Sequence, residues 1–306
     1  MTATASEPRF ADGPVRRDHV GVDIGGTGIR ATTDDPGVTT PVVRFPLDRT
    51  IRRDDLVALV AEAVSAATDP LPDSICVSVP AFVDARGEVT DCPSIPALTG
   101  LPLAAVVRAA TGVARVRVLP DLAAAAVGEH ARGVGRGVDR FLCVAIGTGV
   151  NAAAVHGGSL VDTAFGCLGD AGHVIVEPSG PQCPCGGRGC LEAVTSGFAL
   201  ARDGAAFGWA DAREVFAAAR AGEQAAIDIV DRAGAALGRA LASWSAMLWP
   251  DVVAVAGGLS AAGEQLLQPA RVEMLRVGTP YIVGRLRVVA ATLGADAALW
   301  GAVLTR

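Results

Sequence analysis

The chain has 306 residues, 51% of them hydrophobic and 19% charged, with a formal net charge of −6 and a mean hydropathy of +0.41. That length and apolar content allow two sizeable cores, and an acidic balance without a large basic patch argues against duplex nucleic acid as a partner. No apolar run is long enough to read as a membrane span, and the chain contains no lysine, which excludes mechanisms built on a Schiff-base or P-loop lysine.

Residues 1–18 are polar and lack the apolar centre of a signal peptide, so they read as a flexible tail on a cytosolic protein. HVGVDIGGTGIRATT (19–33) reads as a strand, a Gly-rich tight turn and a second strand. From Arg53 to Thr68, Leu56, Leu59, Val60 and Val64 fall at helical spacing. A buried strand over 73–84 is stopped by Pro80, and Pro-rich loop sequence runs on to about 103. A helix (103–111) and a strand (115–119) follow, and Asp121 opens the helix LAAAAVGEHARG. FLCVAIGTGVNAAAVHGGSLV (141–161) repeats the opening pattern of strand, Gly/Thr turn and strand. The C-terminal third reads as helix (212–248), strand (251–258), helix, strand (286–291) and a last helix (295–304). Strand hairpins followed by helices, occurring twice, predict two similar α/β lobes facing a cleft. The expected division is a small lobe over 19–120, completed by 294–306, and a large lobe over 121–293.

The most specific chemical signal is H-x9-C-x-C-x4-C: His173, Cys183, Cys185 and Cys190. Three thiolates and an imidazole form a closed tetrahedral set suited to structural zinc. Glycines 186, 187 and 189 would let the chain turn tightly around the metal through positive φ. The alternative is a set of free thiols beside a loop histidine. A zinc ion here would pin Asp170 and His173 on one side and Glu192 on the other. In a cytosolic chain, thiols read as metal ligands rather than disulfides.

The turn Asp23-Ile24-Gly25-Gly26-Thr27-Gly28 can form a nest of amides for anionic oxygens, with a hydroxyl from Thr27 and Asp23 placed to hold Mg²⁺ through water. A glycine hairpin without ligand is the alternative. Gly147-Thr148-Gly149 recurs at the matching place of the second half, and the two turns together read as a phosphate clamp. Gly257-Gly258, at a strand end before a helix opening at Ser260, could touch the base and ribose of a nucleotide. Asp121 is either a helix N-cap or a general base for a hydroxyl attacking a γ-phosphoryl group, and one carboxylate can do both.

With these segments placed, residues 19–306 resemble the ROK family of sugar kinases and repressors, within the actin-like ATPase superfamily that includes hexokinase. DIGGTGIR and AIGTGV look like the two phosphate motifs, PDLAAAAVGE like the catalytic-aspartate segment, GDAGH with CPCGGRGCLEA like the zinc and sugar segment, DVVAVAGGLS like the adenosine segment and LGADAALWGA like the closing helix. The resemblance implies a two-lobed, ribonuclease H-like α/β fold with a central cleft. It further implies ATP and Mg²⁺ on the Gly/Thr turns, structural Zn²⁺ on the His/Cys set, and Asp121 as the base. Asp170, His173 and Glu192 would bind the sugar, and family habit implies a homodimer.

Several positions depart from the family's glucokinases. Pro120-Asp121 stands for Asn-Asp, Ser94 for a loop Asn, Asp170 for the Glu of Gly-Glu-Ile-Gly-His, and Pro80-Ala81 for Pro-Gly. A lost carboxamide removes a donor and an acceptor for sugar hydroxyls, and an unpaired buried hydroxyl costs about 1–3 kcal/mol. The expected substrate is therefore a hexose or polyol other than plain glucose, with an amino sugar of the kanosamine type or a C7-cyclitol as alternatives. Polyphosphate in place of ATP stays open. A repressor would need a helix-turn-helix module, for which 18 polar residues are too few. A sugar-binding regulator without catalysis is the remaining alternative of another class.

Overall fold

The computed structural model describes residues 19–33, 41–163 and 165–306. The tail expected over 1–18 lies outside them. Among the described residues ten strands and ten α-helices follow in the order β1 (His19–Gly25), β2 (Gly28–Thr33), β3 (Val43–Pro46), α1 (Arg53–Ala67), β4 (Ser74–Val79), α2 (Leu103–Thr111), β5 (Arg115–Pro120), α3 (Asp121–Arg132), β6 (Arg140–Ile146), β7 (Val150–His156), β8 (Ser159–Val161), α4 (Leu191–Thr195), α5 (Gly197–Gly204), α6 (Ala212–Arg220), α7 (Gln224–Leu248), β9 (Val252–Ala256), α8 (Glu264–Val277), α9 (Pro280–Val283), β10 (Arg287–Ala290) and α10 (Ala297–Leu304).

The strands form two five-stranded sheets, β3-β2-β1-β4-β5 and β10-β9-β6-β7-β8. Read from its hairpin side, each sheet has the same order, so the internal duplication expected from the two Gly/Thr turns is present in the topology. In the first sheet β1 runs antiparallel to β2 and parallel to β4, and Gly25 pairs with Gly28 around the two-residue turn Gly26-Thr27. In the second, β6 and β9 are parallel, as are β9 and β10. The β7–β8 hairpin turns through Gly157 and Gly158, both at positive φ, as its two-residue loop requires.

Two compact units emerge: Met1–Gly137 with Ala153–Gly169 and Ala295–Arg306, and Val138–Ala152 with Asp170–Gly294. The sequence-based division ended the first lobe at 120, whereas residues 121–137 group with the first unit because α3 packs on α10. Glycines permit that crossing. A methyl at Gly128 would lie 2.2 Å from the Ala297 carbonyl oxygen and one at Gly301 would lie 1.6 Å from that of Ala124. Beneath α10, Gly21 of β1 would clash the same way with Val303. His19 joins these pieces: its Nδ1 lies 2.8 Å from Ser74 Oγ and its Nε2 3.0 Å from the Ala302 carbonyl oxygen. The carbonyl can only accept, so Nε2 carries the proton, and burial holds the imidazole pKa below its usual value.

Alternation accounts for the first core. Val20, Val22 and Ile24 of β1 are buried with Ile75 and Val77 of β4, Leu56, Val60 and Val64 of α1, and Leu103 and Val107 of α2. In the second unit α7 and α8 meet through Gly234 and Gly238, where added methyls would lie 2.4 Å from Pro269 Cγ and 2.4 Å from the Ala270 carbonyl oxygen. Among the described residues no helix is long and apolar enough to cross a membrane.

Candidate active site and metal centre

In the first unit Asp23 lies on β1 beside the Gly25–Gly28 turn, and Asp121 follows β5, which β4 separates from β1 in the same sheet. Asp23 is 6% exposed at the end of β1. Its Oδ2 accepts from Arg30 Nη2 at 2.6 Å and Nε at 3.2 Å, and its Oδ1 accepts from Ser78 Oγ at 3.0 Å. Arg30 is the residue directly opposite Asp23 in the β1–β2 register, and it reaches on to Asp296 and the Ala295 carbonyl oxygen. Both carboxylate oxygens are thus engaged by protein. This suits Asp23 to anchor metal-bound water rather than to strip a cation of its shell. Counting outward from a two-residue turn pairs position 23 with 30, so the sequence held the signal for Arg30.

The glycines of this turn serve space rather than backbone freedom, since neither Gly26 nor Gly28 has positive φ. A methyl at Gly28 would lie 2.7 Å from the Phe45 carbonyl oxygen of β3. Thr27 stands exposed at the tip.

Asp121 is not the N-cap of α3. Pro120 takes that position with φ −56° and ψ 143°, and Asp121 is the first helical residue. Its Oδ1 accepts from the Leu122 N–H at 2.7 Å. Surrounding protein pushes the carboxyl up to about 6; the Leu122 bond opposes this, and the negative charge of Asp23 adds to it. The residue is nevertheless exposed on its open side. A carboxylate walled by protein, raised towards neutrality and reachable from solvent has the properties of a general base. Pro120 pairs with Val79 at the end of β5, and Gly166 fits against its ring. Ser94 lies half-buried on the loop before α2, with its Oγ 3.5 Å from Cys92 Sγ.

The second unit holds the other expected residues. The Gly147–Gly149 turn closes through a bond from the Gly147 N–H to the Gly149 carbonyl oxygen at 2.9 Å. The Gly147 carbonyl accepts from Gly197 N–H at 2.7 Å. Glu192 Oε2 accepts from Val150 N–H at 2.9 Å and would lie 2.6 Å from a methyl at Gly149. Glu192 therefore sits against the second Gly/Thr turn while standing two residues beyond Cys190. Asn151, unmarked in the sequence reading, joins the same turn to the loop before His173: its Oδ1 accepts from Ala171 N–H at 3.2 Å. Gly257, at φ +83°, packs on β6 where a methyl would lie 2.4 Å from the Ile146 carbonyl oxygen. Gly258 begins a short 3-10 turn to Ala262, so the regular helix starts at Glu264 rather than at Ser260.

His173, Cys183, Cys185 and Cys190 converge, with their donor atoms all within 4.8 Å of one another. Cys185 Sγ and Cys190 Sγ are 3.7 Å apart, and Cys183 Sγ is 3.6 Å from His173 Nδ1. Metal–sulfur bonds of about 2.3 Å and metal–nitrogen bonds of about 2.0 Å at tetrahedral angles demand separations of about 3.8 and 3.5 Å, so the donor set fits zinc. Burial, then hydrogen bonds with the two neighbouring thiols, push the Cys190 thiol up to about 12. The other ring nitrogen of His173 lies 3.4 Å from Asp170 Oδ2, the carboxylate–imidazole arrangement that orients a metal-bound histidine. Gly186 and Gly189 have positive φ as expected, but Gly187 does not. It gives room to sulfur instead, since a methyl there would lie 3.3 Å from Cys190 Sγ and 3.4 Å from Cys185 Sγ.

The model of the ROK family matches residues 19–305. This chain belongs to the ROK family. It is 34% identical to a glucokinase of Thermotoga maritima over 92% of this chain and 95% of that protein. A kanosamine kinase of Amycolatopsis mediterranei is 31% identical over 93% of this chain and 94% of its own length. Among solved structures, a ROK glucokinase from Streptomyces griseus in complex with glucose and AMPPNP superposes with a TM-score of 0.72 and 30% identity, covering 93% of this chain and 97% of that one. The fold is the actin-like ATPase fold of ROK sugar kinases, α/β with two mixed sheets, and the chain is a ROK-type sugar kinase, a phosphotransferase with an alcohol acceptor.

Proposed function

We propose that this ROK kinase transfers the γ-phosphoryl group of ATP to the primary hydroxyl of a hexose or hexose-like polyol other than plain glucose. The observation that carries the reading is Asp121, a carboxylate raised to about 6 at the head of α3 and within electrostatic reach of Asp23 below the first Gly/Thr turn. Asp121 takes the proton of the acceptor hydroxyl as its oxygen bonds to the γ-phosphorus, while the bond from that phosphorus to the bridging oxygen breaks and ADP leaves. Gly25, Gly26, Thr27, Gly147, Thr148 and Gly149 seat the phosphates through backbone amides and the two threonine hydroxyls, and Gly257 and Gly258 border the nucleoside. Asp23 holds Mg²⁺ through water; the cation neutralises charge on the phosphates. His173, Cys183, Cys185 and Cys190 hold zinc, which fixes the segment carrying Asp170 and Glu192.

Asp170, His173, Glu192 and Ser94 are the proposed acceptor contacts. Ser94 and Asp170 present shorter side chains than the Asn and Glu of the family's glucokinases, and Ser94 already faces Cys92. These changes support an acceptor whose hydroxyl pattern differs from that of glucose. The Amycolatopsis relative, a kanosamine kinase, supports the amino-sugar alternative; a C7-cyclitol is the other.

The test is ADP release from ATP–Mg²⁺ against a panel of hexoses, amino sugars and C7-cyclitols. A non-glucose acceptor with kcat/KM at least about tenfold above glucose, a difference of about 1.4 kcal/mol, is the expected result. Glucose as the best acceptor sinks the substrate assignment. Sugar binding without transfer to any acceptor sinks the catalytic one and leaves a regulator.

A further inference from the structure

The first Gly/Thr turn has two backbone carbonyls whose negative ends would repel an anion, those of Gly26 and Thr27. Both are engaged from the loop that follows β3. The Leu47 N–H donates to the Thr27 oxygen at 3.3 Å, and Arg49 Nε–H donates to the Gly26 oxygen at 3.1 Å. The guanidinium is thereby laid along the turn, so that a methyl at Gly26 would lie 3.1 Å from Nη2. The loop is held in this posture by Asp48, whose carboxylate accepts from the N–H and the hydroxyl of Thr50, each at 2.8 Å. Ile51 N–H closes the loop on the Asp48 carbonyl at 3.0 Å.

Arg49 differs from its neighbour Arg30 in what its charge faces. Arg30 is consumed by Asp23 and Asp296. Arg49 is exposed, and among the described residues no carboxylate lies within ion-pair distance of it. Only its Nε is spent on the turn, which leaves the Nη groups for an external acceptor. With no lysine in the chain, side-chain charge for a phosphate must come from arginine.

We infer that Arg49 is a donor-binding residue, its Nη groups bonding phosphate oxygens of the triphosphate seated on the Gly26–Thr27 turn. The inference rests on the reading of that turn as a phosphate site. Arg49 has two parts: the Nε bond turns a carbonyl away from the anion, and the planar fork supplies charge and donors on the other side.

Calorimetric titration of the full chain with ATP–Mg²⁺ tests it directly, with wild type, Arg49→Ala and Arg49→Lys. Arg49→Ala is expected to weaken ATP binding roughly tenfold or more, the scale of one charge-assisted hydrogen bond. Arg49→Lys should recover part of the loss, because it restores charge without the Nε bond. In turnover assays the donor KM should rise while the acceptor KM stays fixed. Unchanged ATP affinity in Arg49→Ala overturns the inference, as does a fall in thermal stability with affinity intact, which would make Arg49 a loop tether. Equal increases in donor and acceptor KM also overturn it. The two readings fail separately: a wild type that binds ATP but phosphorylates no acceptor refutes the kinase assignment, while the Arg49 comparison still decides the inference. A wild type that binds no ATP refutes both.

Discussion

Asp121 carries an internal conflict between folding and chemistry. Its pKa is raised on folding, so the native state holds its proton more tightly than the unfolded chain does. Stability from this group is therefore present at low pH and is lost as pH rises from the ordinary carboxylate value through about 6. In the proposed role as base, catalysis has the opposite sign, because only the ionised form accepts a proton. We expect kcat/KM to fall as pH drops through about 6, and Asp121→Asn to lower turnover by about 10²–10⁴ while zinc content and sugar binding hold. The same variant should be no less stable than wild type at pH 7. Turnover retained by Asp121→Asn, or a pH profile with no acid limb, refutes the role. At this scale the sequence was most legible where chemistry marks a residue, as with Asp23, Asp121 and the three cysteines. It was least legible for Arg49 and Asn151, because arginine and asparagine on a polar surface look alike until the path of the chain says what each one faces.

The zinc segment and the elements around it form the next level. Cys190 leads directly into α4, and Glu192 in its first turn touches the Gly147–Gly149 turn, so the metal loop and the turn share one short helix. Glu177, inside the same segment, is gripped by Arg232 at 2.8 Å and Arg239 at 2.9 Å, both on α7, and Arg239 continues to Glu273 of α8 at 3.1 Å. These pairs are partly exposed and individually worth little, about 0–1 kcal/mol each, so they guide the loop more than they hold it. On the proposed reading, bound zinc supplies the rest. Cys185→Ser is expected to abolish bound zinc by elemental analysis and to lower Tm by several degrees, at about 2–4 °C per kcal/mol for a chain of this size. Wild-type protein that is zinc-free, active and as stable as after zinc addition would contradict this. The expected helices over 53–68 and 103–111 match α1 and α2 because their apolar residues fall on one face. The strand β3 escaped notice since VRFP is short, half-exposed and ends in proline. The short helices α4 and α5 escaped too: each is defined by what it packs against rather than by its own periodicity.

Across the whole molecule, the chain's return to its first unit is the feature least visible locally. Residues 153–169 and 295–306 belong with a unit whose other residues lie far earlier in sequence. Leu160 packs with Cys76, Leu119, Ala124 and Ala302, a cluster drawn from four separate stretches of chain. No window of sequence contains that contact, although the resemblance of 294–306 to a closing helix anticipated part of it. The crossing of α3 and α10 yields a sharp test. Gly→Ala in an ordinary helix stabilises by about 1 kcal/mol. At Gly301 the new methyl would meet the Ala124 carbonyl oxygen at 1.6 Å, so Gly301→Ala should instead destabilise by about 1–3 kcal/mol in denaturant unfolding. A neutral or stabilising result would mean that the helices are not in that contact.

The lateness of α10 also bears on how the protein is made. A ribosome finishes β1, β4 and α3 early, then threads out nearly all of the second unit before residues 297–304 emerge. At about 5–20 residues per second that interval is on the order of ten seconds. Throughout it, the strip of β1 and α3 around Gly21 and Gly128 is uncovered, and His19 has no carbonyl to meet. The nascent first unit is thus an open surface awaiting its own last helix. Soluble yield is therefore expected to respond to how quickly translation crosses the intervening stretch.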